Sequence, residues 1–492
     1  MMTINEMITR MKYVLFFLLT LLIVTSVVAQ APDRSKPPEL GPPPSLHLPT
    51  IQHLKLSNGL PVVLMEKHDL PLVQVELIVF SGSAMDPAGK SGLASLTSAM
   101  MEEGAGKRNA LEFADAIDFL GASINASAGQ HTMGVSLHTP LSKLDSALAL
   151  FADVVLRPTF PGDELERHRK EILTTLAQWH DEPRVVASVL FNRMLFGEQH
   201  PYGTPTIGSE QSIRSFNIDD LKQFHRKYYH PNNAALIVVG DVVPKTIVSK
   251  LEKSFGKWKS APVPKASWAS VDQVKDRKIW LVDKPGAAQS VIRIGRLGVQ
   301  RLTEDYYALA VLNTILGGSF SSRLNQNLRE QHGYAYGAGS SFDMRLLPGP
   351  FVASASVQTD VTDKALTEFI KELTNIMQPV TDEELTRAKN YLALGYPDNF
   401  QSVAQIAGQL AEMVIYKLPE TYFNEYTKNV LSVTKDDLVR VAKKYLDPEK
   451  VNIIIVGDKQ KVEAGVAALS VGSIMNMTID DVLGKAPVIG GE

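Results

Sequence analysis

The side chains able to do chemistry are few, and their spacing limits what they can do. The chain of 492 residues has 11 histidines and no cysteine. Without cysteine there is no disulfide, thiol nucleophile, CxxC redox pair, thiolate metal site or cysteine-linked lipid anchor. His168 and Glu171 stand at i, i+3 on a helix-periodic segment. That spacing is common on solvated helix faces, and no second histidine follows at 172 to complete a metal grip. His131 and His138 lie in alternating sequence and are expected to be ordinary strand-surface or core histidines. His225 and His230 sit in a segment that recurs later with Ala442 and Asp447 at the same places, so a ligand pair is not supported. No G-x-S-x-G elbow or Walker-type loop occurs, and Gly317-Gly318-Ser319 reads as a helix end.

The elements that would position these groups follow from patterning. Fifty Lys+Arg against 53 Asp+Glu give a net charge of −3, which offers no electrostatic case for nucleic acid. Apolar content of 45% and charged content of 21% are those of an ordinary globular chain. Arg10 and Lys12 precede an apolar run from Val14 to Val28, and Val27-Val28-Ala29 supplies small residues before Gln30. Residues 1–29 therefore read as a signal peptide, with Met11 as a second candidate start. The run falls short of the roughly 20 residues that span a bilayer. An exported protein is expected, periplasmic or secreted, with no membrane span after signal removal. Residues 30–50 carry Pro32, Pro37, Pro38, Pro42, Pro43, Pro44 and Pro49, the composition of an extended tether.

The body is a duplication. Residues 219–241 and 436–458 align without a gap, with 10 of 23 positions identical. Each copy reads as an amphipathic helix stopped by proline, then an apolar strand stopped by Gly-Asp. Two related domains are expected, 51–262 and 275–480, with a linker at 263–274 and a tail at 481–492. In the first, Asn58-Gly59 joins strands 53–56 and 61–66, strand 73–80 follows, and helices cover 91–103, 109–120, 141–155 and 163–180. In the second, strands fall near 278–283, 290–297, 335–341 and 351–357, with helices near 303–316 and 320–331. Thr381 and Glu384 form a capping box. The fold class is α+β, each domain a mainly antiparallel sheet packed with helices.

The segment SGLASLTSAMMEE, residues 91–103, follows a hairpin and a strand and ends at Gly104. In this setting it resembles the pitrilysin/insulinase family of zinc peptidases, and His200-Pro201-Tyr202-Gly203-Thr204-Pro205 is similar to that family's HPYG-x-P segment. The family carries H-x-x-E-H on this helix, two histidines gripping zinc and a glutamate acting as general base. The matching positions here are Ser95, Ser98 and Ala99, and the family's third ligand, a glutamate on a later helix, falls at Leu176. Alanine and leucine have no donor atom, and serine hydroxyls are poor zinc ligands.

The resemblance also covers SSRLNQNLREQHGYAYG, residues 321–337. Family members that cleave peptides carry there an arginine and a tyrosine seven residues apart, matching Arg329 and Tyr336. Such a pair can hold a substrate carbonyl and stabilise its developing oxyanion. On spacing alone, an arginine at a helix end and a strand tyrosine are ordinary structural residues. Arg323 is expected to be a surface residue and Tyr334 a packing residue. The family context implies half of a clam-shell chamber: a non-catalytic subunit that holds extended peptide for a homologous zinc subunit bearing H-x-x-E-H. No cofactor is expected in this chain, with zinc in the partner subunit. The alternatives are a structural or peptide-holding homologue without a proteolytic role, and an independent metalloprotease with rearranged ligands.

Overall fold

The computed structural model describes residues 4–24, 41, 46, 48–265 and 267–488. Residues 1–43 form one unit and residues 44–492 a second. The first contributes a helix, Ile4–Val24; the proposed cleavage site at 27–29 and most of the proline-rich tether lie outside the described residues. Among the described residues no helix is long and apolar enough to cross a membrane.

The second unit holds both copies of the repeat. In the first half, strands β1 (Gln52–Lys55), β2 (Pro61–Glu66) and β3 (Leu72–Val79) precede a small ribbon of β4 (Gly104–Ala105) and β5 (Arg108–Asn109). Strands β6 (Ser123–Ala128), β7 (Met133–Pro140) and β8 (Ala234–Gly240) complete a six-stranded sheet in the order β1-β2-β8-β3-β7-β6. The second half supplies β9 (Lys278–Asp283), β10 (Gln289–Leu297), β11 (Ala335–Phe342), β12 (Pro350–Gln358), β13 (Asn452–Gly457) and β14 (Ser473–Thr478). Read from its other edge, this sheet runs β14-β9-β13-β10-β12-β11, the same plan. In both, the strand from the repeated segment is central and wholly buried, pairing parallel on one side and antiparallel on the other. Only the outermost strand differs: β1 joins β2 antiparallel through the Asn58-Gly59 turn, whereas β14 returns from the chain's end and runs parallel to β9.

Each sheet is covered on one side by helices of its own half and on the other by a helix from the opposite half. The first-half helix Pro183–Phe196 packs on β10 and β13, placing Val186, Leu190 and Phe191 against Val291, Ile454 and Val456. The second-half helix Val403–Tyr416 packs on β3 and β8, placing Ile406 and Leu410 in one core with Ile78, Ile237 and Val239. This exchange lies beyond the reach of sequence periodicity, which records that a face is apolar and not what covers it.

Three expectations change. The helix expected over 320–331 starts at Arg323, and only Arg323–Asn325 is α-helical before a π-helical stretch, Gln326–Gln331. The helix expected to end at 316 likewise passes into a π-helical turn, Thr314–Gly318. Residues 481–483 are not a loose tail: they belong to a helix, Ile479–Leu483, whose Val482 is fully buried against Pro183–Phe196. The linker is also tied down at two points, Trp268 Nε1 donating to the Ala84 carbonyl and Gln273 pairing with the backbone of Leu297.

Candidate functional site

The helix that would carry the zinc motif spans Leu93–Met100. Leu93, Leu96 and Met100 form its buried stripe, and Asp86 accepts hydrogen bonds from the Gly92 and Ala94 amides at 2.8 Å, capping its start. Gly92 has φ +93°, and a Cβ there would meet the Ile207 carbonyl at 2.6 Å, so the segment after the HPYG-x-P stretch lies hard against the helix. Ser95 Oγ donates to the Thr206 carbonyl at 2.7 Å. Ser98, 1% exposed, is buried in contact with Tyr229, and Ala99 presents only a methyl group. The second helix, Gly162–Gln178, buries Leu165, Leu173 and Leu176 along one stripe. Leu176 is 8% exposed and lines a cavity of about 80 Å³ with Trp179, Val189 and Val482.

The family's zinc therefore has no fit here. One hydroxyl is spent on a backbone carbonyl, one is buried beside a tyrosine, and the remaining positions are a methyl and an isobutyl group. Among the described residues no cluster of three or more His, Asp or Glu is arranged to hold a metal. The C-terminal segment adds to the closure. Arg193 Nη2 donates to the Val482 carbonyl at 2.7 Å, His180 Nε2 to the Gly484 carbonyl at 2.9 Å, and Arg214 Nη2 to the Val488 carbonyl at 3.1 Å. Residues of this segment, Val482, Leu483, Lys485 and Pro487, line the same cavity as Leu176.

His131, His138, His168, His225 and His230 each have local partners. His168 Nε2 meets Glu103 at 2.7 Å, with Arg167 bridging Glu103, Glu164 and Glu171 around it, so these carboxylates are already engaged by the arginine. His131 lies in the turn between β6 and β7 rather than in a strand, and it hydrogen-bonds the Tyr202 hydroxyl; burial holds it down to about 4. His225 donates to the Val155 carbonyl at 2.9 Å and is also held at about 4 by burial. His138 Nδ1 donates to Gln74 Oε1 at 3.1 Å, on the wall of a groove of about 560 Å³ between the first sheet and the start of helix Val403–Tyr416. His230 is tied to the Arg226 and Lys259 carbonyls. Tyr202 of the HPYG-x-P segment is fully buried, with Arg345 of the second half over its ring at 4.5 Å.

In the second half the picture reverses. Arg329 sits in the π-helical stretch and Tyr336 follows on β11, at the irregular pairing between Ala335 and Ala338. Tyr336 is 91% exposed. The Arg329 guanidinium lies 4.6 Å from the Phe320 ring centroid, and its Nε meets Glu330 at 3.2 Å. Tyr334 packs against the core and stacks on His332, as expected of it. Arg323 is not an idle surface residue: it makes a two-point ion pair with Glu384 at 2.6 and 3.0 Å. Burial alone would raise the Glu384 carboxyl, but Arg323 and Thr381 outweigh it and hold it at about 2. Asn325, 5% exposed, donates to the Phe320 carbonyl at 2.7 Å and accepts from the Ala338 amide at 3.3 Å. Phe320 and Asn325 escape sequence reasoning; the only trace is an aromatic residue standing in a Gly/Ser-rich turn.

Residues 61–208 match the family described as "Insulinase (Peptidase family M16)", and residues 215–392 match "Peptidase M16 inactive domain". An uncharacterized zinc protease of Mycobacterium leprae is 30% identical over 346 residues, 69% of this chain and 76% of that protein. One of Rickettsia bellii is 26% identical over 407 residues, 82% of this chain and 96% of that protein. Among solved structures, a peptidase M16 inactive domain from Pseudomonas fluorescens superposes with a TM-score of 0.78 at 28% identity, covering 83% of this chain and 98% of its own. The first half of the periplasmic protease PqqL from Escherichia coli shares the fold at a TM-score of 0.69 and 16% identity, over 87% of this chain and 97% of its own. The chain belongs to the M16, or insulinase, peptidase family, as a non-catalytic member.

Proposed function

We propose that the chain is an exported, non-catalytic subunit of an M16-type zinc metalloendopeptidase, binding and orienting extended peptide for a homologous partner that carries H-x-x-E-H. The observation that carries this reading is the contrast between the two halves. The positions that would hold metal are packed, bonded or apolar, while Arg329 and Tyr336 stand open to solvent. A scaffold protein has no use for an exposed guanidinium and phenol in the spacing that holds a substrate carbonyl. The groove beside Gln74 and His138 offers room for substrate side chains. Export is supported by Arg10 and Lys12 ahead of the apolar run that begins at Val14.

In this reading zinc and the general base belong to the partner. Arg329 donates charge-assisted hydrogen bonds to a peptide carbonyl, and the Tyr336 hydroxyl donates a second as negative charge develops on that oxygen. The test is affinity purification from the native host, followed by peptidase assay of the recovered complex. Recovery of a sibling bearing H-x-x-E-H, with turnover that falls on Arg329→Ala and Tyr336→Phe, is the expected result. A chain recovered alone, or a complex whose turnover ignores both substitutions, would sink the reading.

A further inference from the structure

Arg329 is presented in a particular way. One face of its guanidinium is covered by Phe320, and Nε is engaged by Glu330. Among the described residues neither Nη makes a hydrogen bond, so the edge with two Nη groups is left to meet an incoming oxygen. Phe320 itself is 64% exposed, an unusual place for a large apolar ring, whose burial would otherwise be favourable. Its backbone is not free to drift. Asn325, almost wholly buried, fixes the Phe320 carbonyl with Nδ2 and the Ala338 amide with Oδ1, tying the turn to the strand that carries Tyr336. The turn is further confined because Gly317 passes the Ser340 amide so closely that a Cβ would approach it to 2.2 Å. Two π-helical stretches flank this turn, a feature often found at functional sites.

We infer that Phe320 is a positioning residue for Arg329, an aromatic platform that holds the guanidinium edge-on to a peptide carbonyl or carboxylate. This rests on the reading of Arg329 as a peptide-holding group. The ring's π face attracts the cation and excludes water from one side, so fewer orientations are lost when the peptide arrives. A leucine would supply the bulk without the π face.

The experiment measures binding of fluorescein-labelled casein, an unfolded polypeptide, to the full chain by anisotropy, with melting temperature as a control for folding. Arg329→Ala is expected to weaken binding at least 10-fold, Phe320→Leu about 2- to 5-fold, and Phe320→Trp less than 2-fold, the range of an exposed cation–π contact. Phe320→Leu added to Arg329→Ala is expected to cost nothing more, because the platform has lost what it positions. If Phe320→Leu binds like wild type while Arg329→Ala is impaired, or if the two losses add, the platform role is wrong and the Arg329 reading stands. If the wild-type chain does not bind, or Arg329→Ala binds equally well, that reading fails and takes this inference with it.

Discussion

The two halves share one sheet plan and have spent their helices differently. In the first, on the helices Leu93–Met100 and Gly162–Gln178, Ser95 meets the Thr206 carbonyl, Ser98 is buried beside Tyr229 and Leu176 joins a leucine-rich core. In the second, π-helical stretches flank the turn that carries Phe320, and Arg329 in the second stretch and Tyr336 on β11 are exposed with it. The difference teaches how packing can close one region and leave another open. Ser95 is bonded to a carbonyl, and Ser98 and Leu176 are buried among neighbours. Arg329 and Tyr336, by contrast, stay exposed in the other half.

The sharpest way to break the comparison is to write a ligand back. Leu176→Glu places a carboxylate among Leu173, Trp179 and Val482, and is expected to cost about 3 kcal/mol or more in chemical denaturation, since the lost leucine packing alone is worth about 2–5 kcal/mol. A variant as stable as wild type would mean the position is still able to host a ligand. Next in size, Arg329→Ala in the reconstituted pair is expected to lower kcat/KM about 10- to 100-fold, with Tyr336→Phe smaller, while Ser95→Ala leaves turnover unchanged.

The halves should also respond to acid in different ranges. His131 and His225 titrate near 4 in the folded chain against an ordinary 6.5. The unfolded chain takes up those protons first, so stability falls as pH drops from 6.5 to 4 and levels off below. Glu384 and Asp305 of the second half are held at about 2, in each case because ion-pair and hydrogen-bond partners outweigh burial. Their contribution is complete above the ordinary carboxylate range and disappears as pH falls from about 4.5 toward 2. Urea midpoints measured against pH should flatten between 6.5 and 4 in His225→Gln, and below 4.5 in Arg323→Ala. Smallest is Ser95→Ala, expected to lose about 0.5–1.5 kcal/mol with its bond to Thr206.

Much of this architecture is legible in the sequence. The capping box at Thr381, the Asn58-Gly59 hairpin and the Gly-Asp ends of the repeated strands are local chemistry, and each stands where expected. That Ser95, Ser98, Ala99 and Leu176 are poor or impossible metal ligands is a matter of residue type. What stayed hidden depends on contacts between distant residues. Arg323 looks like any helix-surface arginine until Glu384, 61 positions away, is brought to it. Strand β14 is short and uneven in pattern, and only its seat beside β9 makes it a strand. The π-helical turns leave no clear mark in the 3.6-residue period, because a single widened turn shifts the register only after it has passed.

The exchange of covering helices has a consequence for how the protein can be taken apart. A cut within 259–274 separates the copies of the repeat in sequence, yet each fragment leaves with the helix that shields the other's sheet. The two pieces are therefore expected to remain together after limited proteolysis and to co-elute, as complementing fragments do. Either piece expressed without the other would present a bare sheet face and aggregate. The gene duplication made two copies of a domain, but the product can no longer be divided into them.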